Sequence, residues 1–483
     1  MNLTLLGPEL VLVLGGLALL LVDLAVPAAR RHLLGYATAG GVALLCLYFV
    51  ANHGAGGAAA RAFGGMFVLD GVASFFKAIF LLSGVVVLLL AADSSPRLGG
   101  GITEYYALVL FALAGMCLAA SANDFSVMYV ALELITVTFY VLTSFERSRA
   151  ASLEAGVKYL ILGALSSGFL VYGIALAFGA SGTMSFDELA KHSPELASNR
   201  LFQLGVLMIF GGLSFKIAVF PFQVWAPDVY EGAPVPTTAF LAIGSKAAGV
   251  VLLVRLFGFA VPDLALHWEP LWMTVAGVSI LYGSLCAIPQ RGLRRLLGYS
   301  SIANGGFVMV ALSTMSKAGS AAVLFYLAGY LFTVLAAFLV VGVLVHRVGK
   351  DDFSVLAGLH HRSPLLAAVL AASMISLAGV PPLAGFFGKF VVLRAVVEQG
   401  AASHAYFWLA AVAIVGVVIS FWYYFGVIRA MYWGGDAPDL TPIPISPTLR
   451  GAMILCLGGI LCLGVFPSAI WEAAVAAVAG LGI

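Results

Sequence analysis

Five of the eight lysines lie within strongly apolar stretches of the chain: Lys77, Lys158, Lys216, Lys246 and Lys389. A lysine at the centre of a membrane helix costs roughly 3 kcal/mol, so it usually faces a water-filled cavity or a partner. Lys158 is one turn inside its segment, so snorkelling to the membrane surface explains it as well as a cavity or partner does. Snorkelling is also an alternative explanation for Lys77. Lys216, Lys246 and Lys389 indicate an ion pathway within the membrane.

Glu133 is the one carboxylate that the sequence pattern places well inside an apolar segment. Polar side chains recur around it at steps of three and four, which puts them on one helix face: Ser126, Tyr129, Glu133, Thr136, Tyr140 and Thr143. Such a face is typical of a wet or partner-facing surface. Glu133 with one of the lysines is therefore a candidate buried proton relay, and a salt bridge that only holds helices together is the alternative.

Lysine and glutamate in this setting favour proton chemistry. Burial favours the neutral amine and a nearby carboxylate favours the ammonium, so a change in their separation loads or releases a proton. An arginine would stay charged. Lysines would also repel Na⁺, and a sodium site would need carbonyl and carboxylate oxygens instead.

Two further polar sets could carry water between the charged sites. They are Ser300, Ser301 and Asn304 in GYSSIANGG, and Tyr326, Tyr330 and Thr333 in the next apolar segment. Each set falls on one helix face. Hydrogen bonds that only join helices explain both sets at least as well.

Composition identifies an integral membrane protein, because 62% of the residues are hydrophobic, 10% are charged and the mean hydropathy is +1.07. No basic cluster suggests nucleic acid. The five cysteines form no C-x-x-C motif, and the eight histidines fall in predicted loops or at segment ends. We therefore expect that the chain binds no metal and no redox cofactor.

Apolar runs of about 20 residues predict an all-α membrane domain of about fourteen spans over residues 1–483. The spans are 5–26, 33–51, 68–91, 105–121, 125–145, 155–178, 201–232, 236–258, 271–288, 293–313, 319–346, 364–397, 406–431 and 450–470. Prolines break spans seven and twelve, each of which carries a lysine, and paired broken segments are typical of repeated transporter units. Thirteen Lys and Arg follow odd-numbered spans against about five after even-numbered ones, which places both termini outside.

Several stretches match a known family: MYVALELITVTFYVL, FKIAVFPFQVWAPDVYEGAPVPTTAFLAIGSKAAG, GYSSIANGG and GVPPLAGFFGKF. The chain resembles the antiporter-like proton-channel subunits of respiratory complex I, and most closely the subunit N family of bacterial NADH–quinone oxidoreductases. This resemblance implies two inverted five-helix repeats, in spans four to eight (104–258) and nine to thirteen (271–431). N-terminal helices (1–100) and a C-terminal helix and tail (450–483) flank them.

The resemblance also implies roles for the polar residues. Glu133 pairs with Lys216, Lys246 relays protons along a central axis, Lys389 is the terminal exchanger and Lys158 is a further polar residue. Many relatives carry a histidine where this chain has Asn304. The asparagine side chain cannot titrate. Water held by Ser300, Ser301 and Asn304 would then have to link the two halves.

The function implied is proton translocation driven by quinone reduction elsewhere in the complex. The expected partners are other membrane subunits, the lipid bilayer and protons. NADH, FMN, iron–sulfur clusters and quinone are expected in partner subunits. The expected location is the bacterial inner membrane, with both termini periplasmic. A subunit of a multi-subunit cation/proton antiporter and an inert membrane scaffold are the alternatives.

Overall fold

A computed structural model describes residues 3–54, 59–98, 101–401, 403–434 and 440–481. The outermost residues of the predicted 1–100 and 450–483 segments lie outside these ranges. Twelve helices of the described part are long and apolar enough to cross a membrane. They are Leu3–Asp23, Ala28–Asn52, Gly71–Asp93, Ile102–Ala120, Phe125–Thr143, Ala150–Ser181, Arg200–Ile217, Val235–Ala260, Glu269–Ala287, Lys317–Val348, Ala405–Trp433 and Pro447–Val465.

The first half of the chain contains thirteen α-helices in the described ranges. They are α1 (Gly7–Asp23), α2 (Arg31–Asn52), α3 (Gly71–Asp93), α4 (Ser95–Leu98), α5 (Ile102–Ala120), α6 (Phe125–Thr143), α7 (Ala150–Ser181), α8 (Phe186–Lys191), α9 (Ser193–Leu196), α10 (Arg200–Ile217), α11 (Ala226–Gly232), α12 (Val235–Phe240) and α13 (Lys246–Arg255). A π-helical turn, Leu241–Ser245, joins α12 to α13, and a second one, Leu256–Ala260, follows α13.

The second half continues the same all-helical pattern. Its helices are α14 (Pro262–His267), α15 (Glu269–Ala287), α16 (Leu293–Leu312), α17 (Lys317–Val348), α18 (Leu359–Arg362), α19 (Pro364–Ala378), α20 (Ala384–Gln399), α21 (Ala405–Trp433), α22 (Pro447–Val465) and α23 (Ser468–Val478). The predicted membrane-helix bundle is confirmed.

The two remaining predicted spans differ from the other twelve. Span ten is α16, whose first turn carries Arg294 and Arg295 and is therefore less apolar. Span twelve consists of α19 and α20, neither of which alone is long enough to cross. The count of fourteen accordingly stays a prediction.

A short antiparallel hairpin departs from the all-α expectation. Strands β1 (Ala60–Ala62) and β2 (Phe67–Leu69) pair with Arg61 opposite Val68. Span three was predicted to begin at 68, but the helix starts at Gly71 because the Asp70 carboxylate accepts a hydrogen bond from the Ala73 amide at 2.8 Å.

The predicted breaks in spans seven and twelve are confirmed, and the two have the same local form. Helix α10 ends at Ile217 and is followed by Ala218 in the left-handed region, at φ 61°. Helix α19 ends at Ala378 and is followed by Gly379 at φ 89°. A left-handed residue ends a helix by turning the chain away from its axis. Each break leaves backbone carbonyls inside the bundle, close to a lysine.

Close helix contacts bring the lysines toward the centre of the bundle. Helices α12, α13 and most of α17 are buried, whereas α1 and α2 expose most of their surface on the rim. A β-carbon built on Gly249 would lie 3.1 Å from the Lys216 β-carbon, so glycine lets α13 approach α10 at this level. Lys246 lies one turn away from Gly249 on α13.

A buried row of lysines and hydroxyls

Lys216 is the last residue but one of α10 and is 4% exposed. Its ammonium donates a hydrogen bond to the Thr136 hydroxyl of α6. Thr136 in turn donates to the Leu132 carbonyl at 2.5 Å. Thr136, one member of the polar stripe predicted on span five, therefore contacts Lys216.

Glu133 lies on the same stripe but does not contact Lys216 in this structure. Its Oε1 accepts a hydrogen bond from the Ser167 hydroxyl of α7 at 2.5 Å. No ion pair within 4.0 Å joins Glu133 to Lys216 in the described part of the chain. The direct Glu133–Lys216 pair implied by the resemblance is thus replaced by two separate hydrogen bonds. Glu133 accepts one from Ser167, and Lys216 donates the other to Thr136.

Lys246 begins α13 directly after the first π-helical turn and is 2% exposed. Its ammonium donates to the carbonyl of Ser301 and, at 2.6 Å, to the Ser301 hydroxyl. The Tyr230 hydroxyl lies 2.9 Å from the same hydroxyl oxygen. The aromatic ring of Tyr330 lies 5.6 Å from the ammonium. Lys246 is therefore joined directly to the Ser300–Asn304 turn of α16.

Asn304 links that turn to α17. Its amide donates to the Ser300 carbonyl at 2.7 Å and to the Ser300 hydroxyl at 3.2 Å. The Tyr326 hydroxyl donates to Asn304 Oδ1 at 2.5 Å. The Ser300 hydroxyl also lies 2.5 Å from the Tyr424 hydroxyl of α21. Both polar atoms of the Asn304 side chain are therefore hydrogen-bonded, the nitrogen to Ser300 and the oxygen to Tyr326.

A small cavity follows Asn304, with room for about one water molecule. Its lining includes Asn304, Tyr326, Tyr330, Ser376 and Lys389. Ser376 lies 3.0 Å from the Thr333 hydroxyl, which shows that the second polar set of the sequence faces the same space. Water in this cavity would connect the Asn304 amide to the last lysine.

Lys389 closes the row at the second break. Its ammonium donates to the carbonyls of Leu377, at 2.7 Å, and Ala378, at 3.2 Å, which are the last residues of α19. The carboxyl end of a helix carries partial negative charge and stabilises a cation. The Phe307 ring lies 4.9 Å from the ammonium. Helix carbonyls thus take the place of a carboxylate at Lys389.

The three central lysines share one electrostatic property. In the described part of the chain no carboxylate lies within 4.0 Å of Lys216, Lys246 or Lys389. Each ammonium is instead held by hydroxyl or carbonyl oxygens. A buried cation held only by neutral groups is costly, so these lysines need a reason beyond packing.

Lys158 lies apart from this row. Its ammonium forms ion pairs with Glu154 and Asp228, both at 2.7 Å, and its side chain is 41% exposed. Asp228 also pairs with Arg295 at 2.8 Å. Helix α7 has 32 residues and a length of about 48 Å, more than a membrane core of about 30 Å, so part of it extends beyond the core. The proton-path role predicted for Lys158 stays a prediction.

Sequence reasoning missed three participants. Tyr424 falls in the aromatic run FWYYF, where nothing in the pattern distinguishes a packed ring from a hydrogen-bonded one. Ser167 lies among small residues typical of helix packing. Glu9 was overlooked because an acid in the first turn after Pro8 is typical of a helix start, yet it is 5% exposed and pairs with Lys77.

A buried arginine marks the end of α13. Arg255 is 3% exposed and donates to Asp70 at 2.9 and 3.1 Å and to the Ala120 carbonyl at 2.6 Å. Burial raises the pKa of Asp70, but the charge and hydrogen bonds of Arg255 and the Ala73 amide outweigh it and hold the pKa below its usual range. Asp70 is therefore ionised at neutral pH and fixes α3 to α13 and α5.

The described residues contain no group of three or more His, Cys, Asp or Glu side chains placed to hold a metal ion. Interrupted helices, buried lysines and a water-sized cavity between them define an ion-translocating membrane protein of the antiporter-like class. Residues 122–420 match the family model described as NADH:quinone oxidoreductase/Mrp antiporter, TM.

A curated relative, NADH-quinone oxidoreductase subunit N of Moorella thermoacetica, is 38% identical over 97% of this chain and 96% of its own length. The chain therefore belongs to the subunit N family of antiporter-like membrane proteins. A chain of respiratory complex I from Thermus thermophilus is 31% identical, with a TM-score of 0.81 over 97% of this chain and 99% of that one. A chain of the Mrp complex from Dietzia sp. shares the fold alone, at 22% identity and a TM-score of 0.82, covering 100% and 98%.

Proposed function

We propose that this chain is the subunit N of a bacterial NADH–quinone oxidoreductase and moves protons across the membrane. The observation that carries the proposal is a row of polar groups between Lys246 and the cavity at Lys389. Lys246 bonds Ser301, the adjacent Ser300 bonds Asn304, and Asn304 bonds Tyr326. Asn304, Tyr326 and Lys389 line the water-sized cavity, so each step is a hydrogen bond or this gap, except that Ser301 and Ser300 are linked only as neighbours on α16. Such a row suits proton transfer, because a proton needs only hydrogen-bonded groups and water to move.

Glu133 sets the charge of Lys216 in this mechanism. When the carboxylate bonds Ser167, as it does here, the Lys216 ammonium has only the Thr136 hydroxyl and gives up its proton toward Lys246. When the carboxylate moves toward Lys216, the ammonium form is favoured and the lysine takes up a proton again. The two positions of Glu133 are therefore the loaded and released states of the first site.

Lys246 and Lys389 pass the proton onward through neutral groups. Asn304 cannot titrate, so it orients the Ser300 and Tyr326 hydroxyls and the cavity water without carrying the proton itself. Lys389, held by the carbonyl end of α19, is the last proton carrier before the opposite surface. Lys158 belongs to a surface charge network that could supply the first site.

The remaining assignments follow from membership of such a complex. Other membrane subunits and the lipid bilayer surround the chain, and partner subunits hold NADH, FMN, iron–sulfur clusters and quinone. The chain lies in the bacterial inner membrane with both termini periplasmic, as the distribution of Lys and Arg in its loops favours. The described repeats at 104–258 and 271–431 act as one membrane domain, with the N-terminal and C-terminal helices packed beside them.

Lys216→Ala and Glu133→Ala test the proposal in membranes that contain the whole complex. We expect normal assembly and lowered proton transport per NADH oxidised in both variants. Lys191→Ala is the matched control, because Lys191 is exposed and pairs only with Glu188. Near-wild-type pumping in Lys216→Ala and Glu133→Ala would contradict the assigned roles.

The shared fold of the Mrp chain keeps a cation/proton antiporter subunit as the second candidate. A native gel of mildly solubilised membranes, stained for NADH dehydrogenase activity and probed for this chain, separates the two. Migration in a large NADH-active band supports the proposal. Migration in a smaller, NADH-silent assembly supports the antiporter. A scaffold would be recognised by charge variants that fail in assembly and not in transport.

A further inference from the structure

A buried ion pair joins α1 to α3, outside the two proposed repeats. Lys77 Nζ is 2.7 Å from Glu9 Oε1, and the two side chains are 0% and 6% exposed. Among the residues that the structure describes, neither the ammonium nor the carboxylate finds a hydrogen-bond partner beyond this pair. The rings of Phe67 and Phe49 lie 4.8 and 6.0 Å from the ammonium. The pair is enclosed by aromatic rings and has no polar support.

An ion pair of this kind is a weak structural link. Removing two charges from water is costly, and the attraction between them repays that cost only when further hydrogen bonds satisfy the remaining polar atoms. Glu9 and Lys77 lack those bonds. Apolar side chains of similar volume would hold α1 to α3 as well or better. Stability alone therefore does not account for two ionisable groups at this place.

His53 is a partly exposed titratable group beside the pair, and its ring and the Lys77 ammonium both lie near the Phe49 ring. It follows the last turn of α2, is partly exposed, and its buried Nδ1 has no hydrogen-bond partner within residues 3–54, 59–98 and the other described ranges. Its ring lies 4.9 Å from that of Phe49. Burial lowers the pKa of His53, and the positive charge of Lys77 lowers it further. The imidazole is therefore neutral near pH 7 and offers an acceptor nitrogen.

The other titratable groups around the pair do not compete for this role. Cys117 of α5 lies near it, and a buried thiol is a poor proton carrier at neutral pH. Asp70, seven residues before Lys77 on α3, is held by Arg255. His53 is thus the group best placed to exchange protons between the pair and water.

We propose that Glu9, Lys77 and His53 form a separate proton-exchange site in the N-terminal helices, open to the side of the membrane on which the chain begins. Lys77 Nζ passes a proton to Glu9 Oε1, which leaves a neutral amine and a neutral acid. The amine then takes a proton from water through His53 Nδ1, and Glu9 Oε1 gives its proton to water, which restores the ion pair. This inference rests on the proposed function, because proton translocation is what makes such exchange useful.

Lys77→Arg and the double variant Glu9→Leu/Lys77→Leu test the site in membranes with the whole complex. Arginine keeps the charge but does not release a proton, and the leucine pair replaces the charges by apolar packing. We expect both variants to assemble and both to lose much of their proton transport per NADH oxidised. Infrared difference spectra during turnover should show a protonated-carboxyl band in the wild type that the leucine pair lacks.

Lys216→Ala, measured in parallel, separates this site from the central row. If Lys216→Ala stops pumping while Lys77→Arg and the leucine pair pump normally, the further site is refuted and the central row stands. If the Lys216→Ala variant pumps normally, the role proposed for Lys216 is refuted, whatever the result for the Lys77 variants. If neither Lys77→Arg nor the leucine pair assembles, the role of the pair is structural and the inference is overturned.

Discussion

Asn304 offers the sharpest test of whether water and neutral groups link the two lysine sites. We predict that Asn304→Leu blocks proton transport, whereas Asn304→Ala largely preserves it. Both changes remove the same hydrogen bonds, to Ser300 at 2.7 and 3.2 Å and from Tyr326 at 2.5 Å. They differ only in the space that they leave. Leucine fills the site of the carboxamide with hydrocarbon, and alanine leaves room for roughly one more water beside the existing cavity.

The size of the effect follows from the hydrogen bonds lost. In the leucine variant the buried Tyr326 hydroxyl has no acceptor, and an unsatisfied buried polar group costs about 1–3 kcal/mol. If the moving proton loses that stabilisation, its transfer slows by about 5- to 150-fold. In the alanine variant a water can accept from Tyr326 and donate to Ser300, so most of the loss is recovered.

The assay is NADH-driven acidification of inverted membrane vesicles, followed with a pH-sensitive dye and divided by the NADH oxidised. Amounts of the assembled complex are compared on native gels, so that a folding defect is not mistaken for a transport defect. Equal pumping by Asn304→Leu and the wild type would refute the row through Asn304. Pumping by Asn304→Ala as low as that of Asn304→Leu would refute the role of water.

Two further variants probe the second helix break, at Gly379, and the ion pair between Arg255 and Asp70. Gly379→Ala should lower pumping in the same assay, because a left-handed alanine costs about 1–2 kcal/mol and its β-carbon would lie 3.0 Å from Lys389 Cδ; unchanged pumping would show that the Lys389 position tolerates displacement. Asp70→Asn should lower the thermal stability of the solubilised complex by about 3–5 kcal/mol, since Arg255 would be a buried, uncompensated charge. Because the folded pKa of Asp70 is depressed, its stabilisation is present above the unfolded pKa and is lost as pH falls through the folded pKa. The wild type and Asp70→Asn should therefore converge in stability in acid, and a constant difference down to the lowest pH would contradict this.

The sequence indicated which residues form the central row of lysines, hydroxyls and amide better than it indicated which residues they contact. Apolar context alone marked Lys216, Lys246 and Lys389, because a charge in such a segment is costly and needs a reason. Helical spacing placed Thr136 and Asn304 on polar faces. It did not predict which face meets which helix, since that depends on packing between segments far apart in the chain.

Two differences between expectation and structure have local physical causes. Glu133 and Lys216 were expected to touch, but each bonds a hydroxyl of a neighbouring helix, Ser167 of α7 for the acid and Thr136 of α6 for the base. Glu9 was not singled out from the sequence, because a charge in the first turn of a helix is usually solvated. Its burial depends on α3 covering it, which no local pattern reveals.

The neutral link between the lysines has a consequence for the order of proton transfer. Between Lys246 and Lys389 the described residues place hydroxyls, an amide and a water-sized gap, and none of these groups carries a fixed negative charge. Like charges in a low-dielectric interior disfavour simultaneous protonation. In the proposed mechanism, a proton that reaches Lys246 therefore promotes release from Lys389, and release from Lys389 favours the next arrival. A titratable group at position 304 would add a third charge to this link and weaken the alternation, whereas asparagine preserves it.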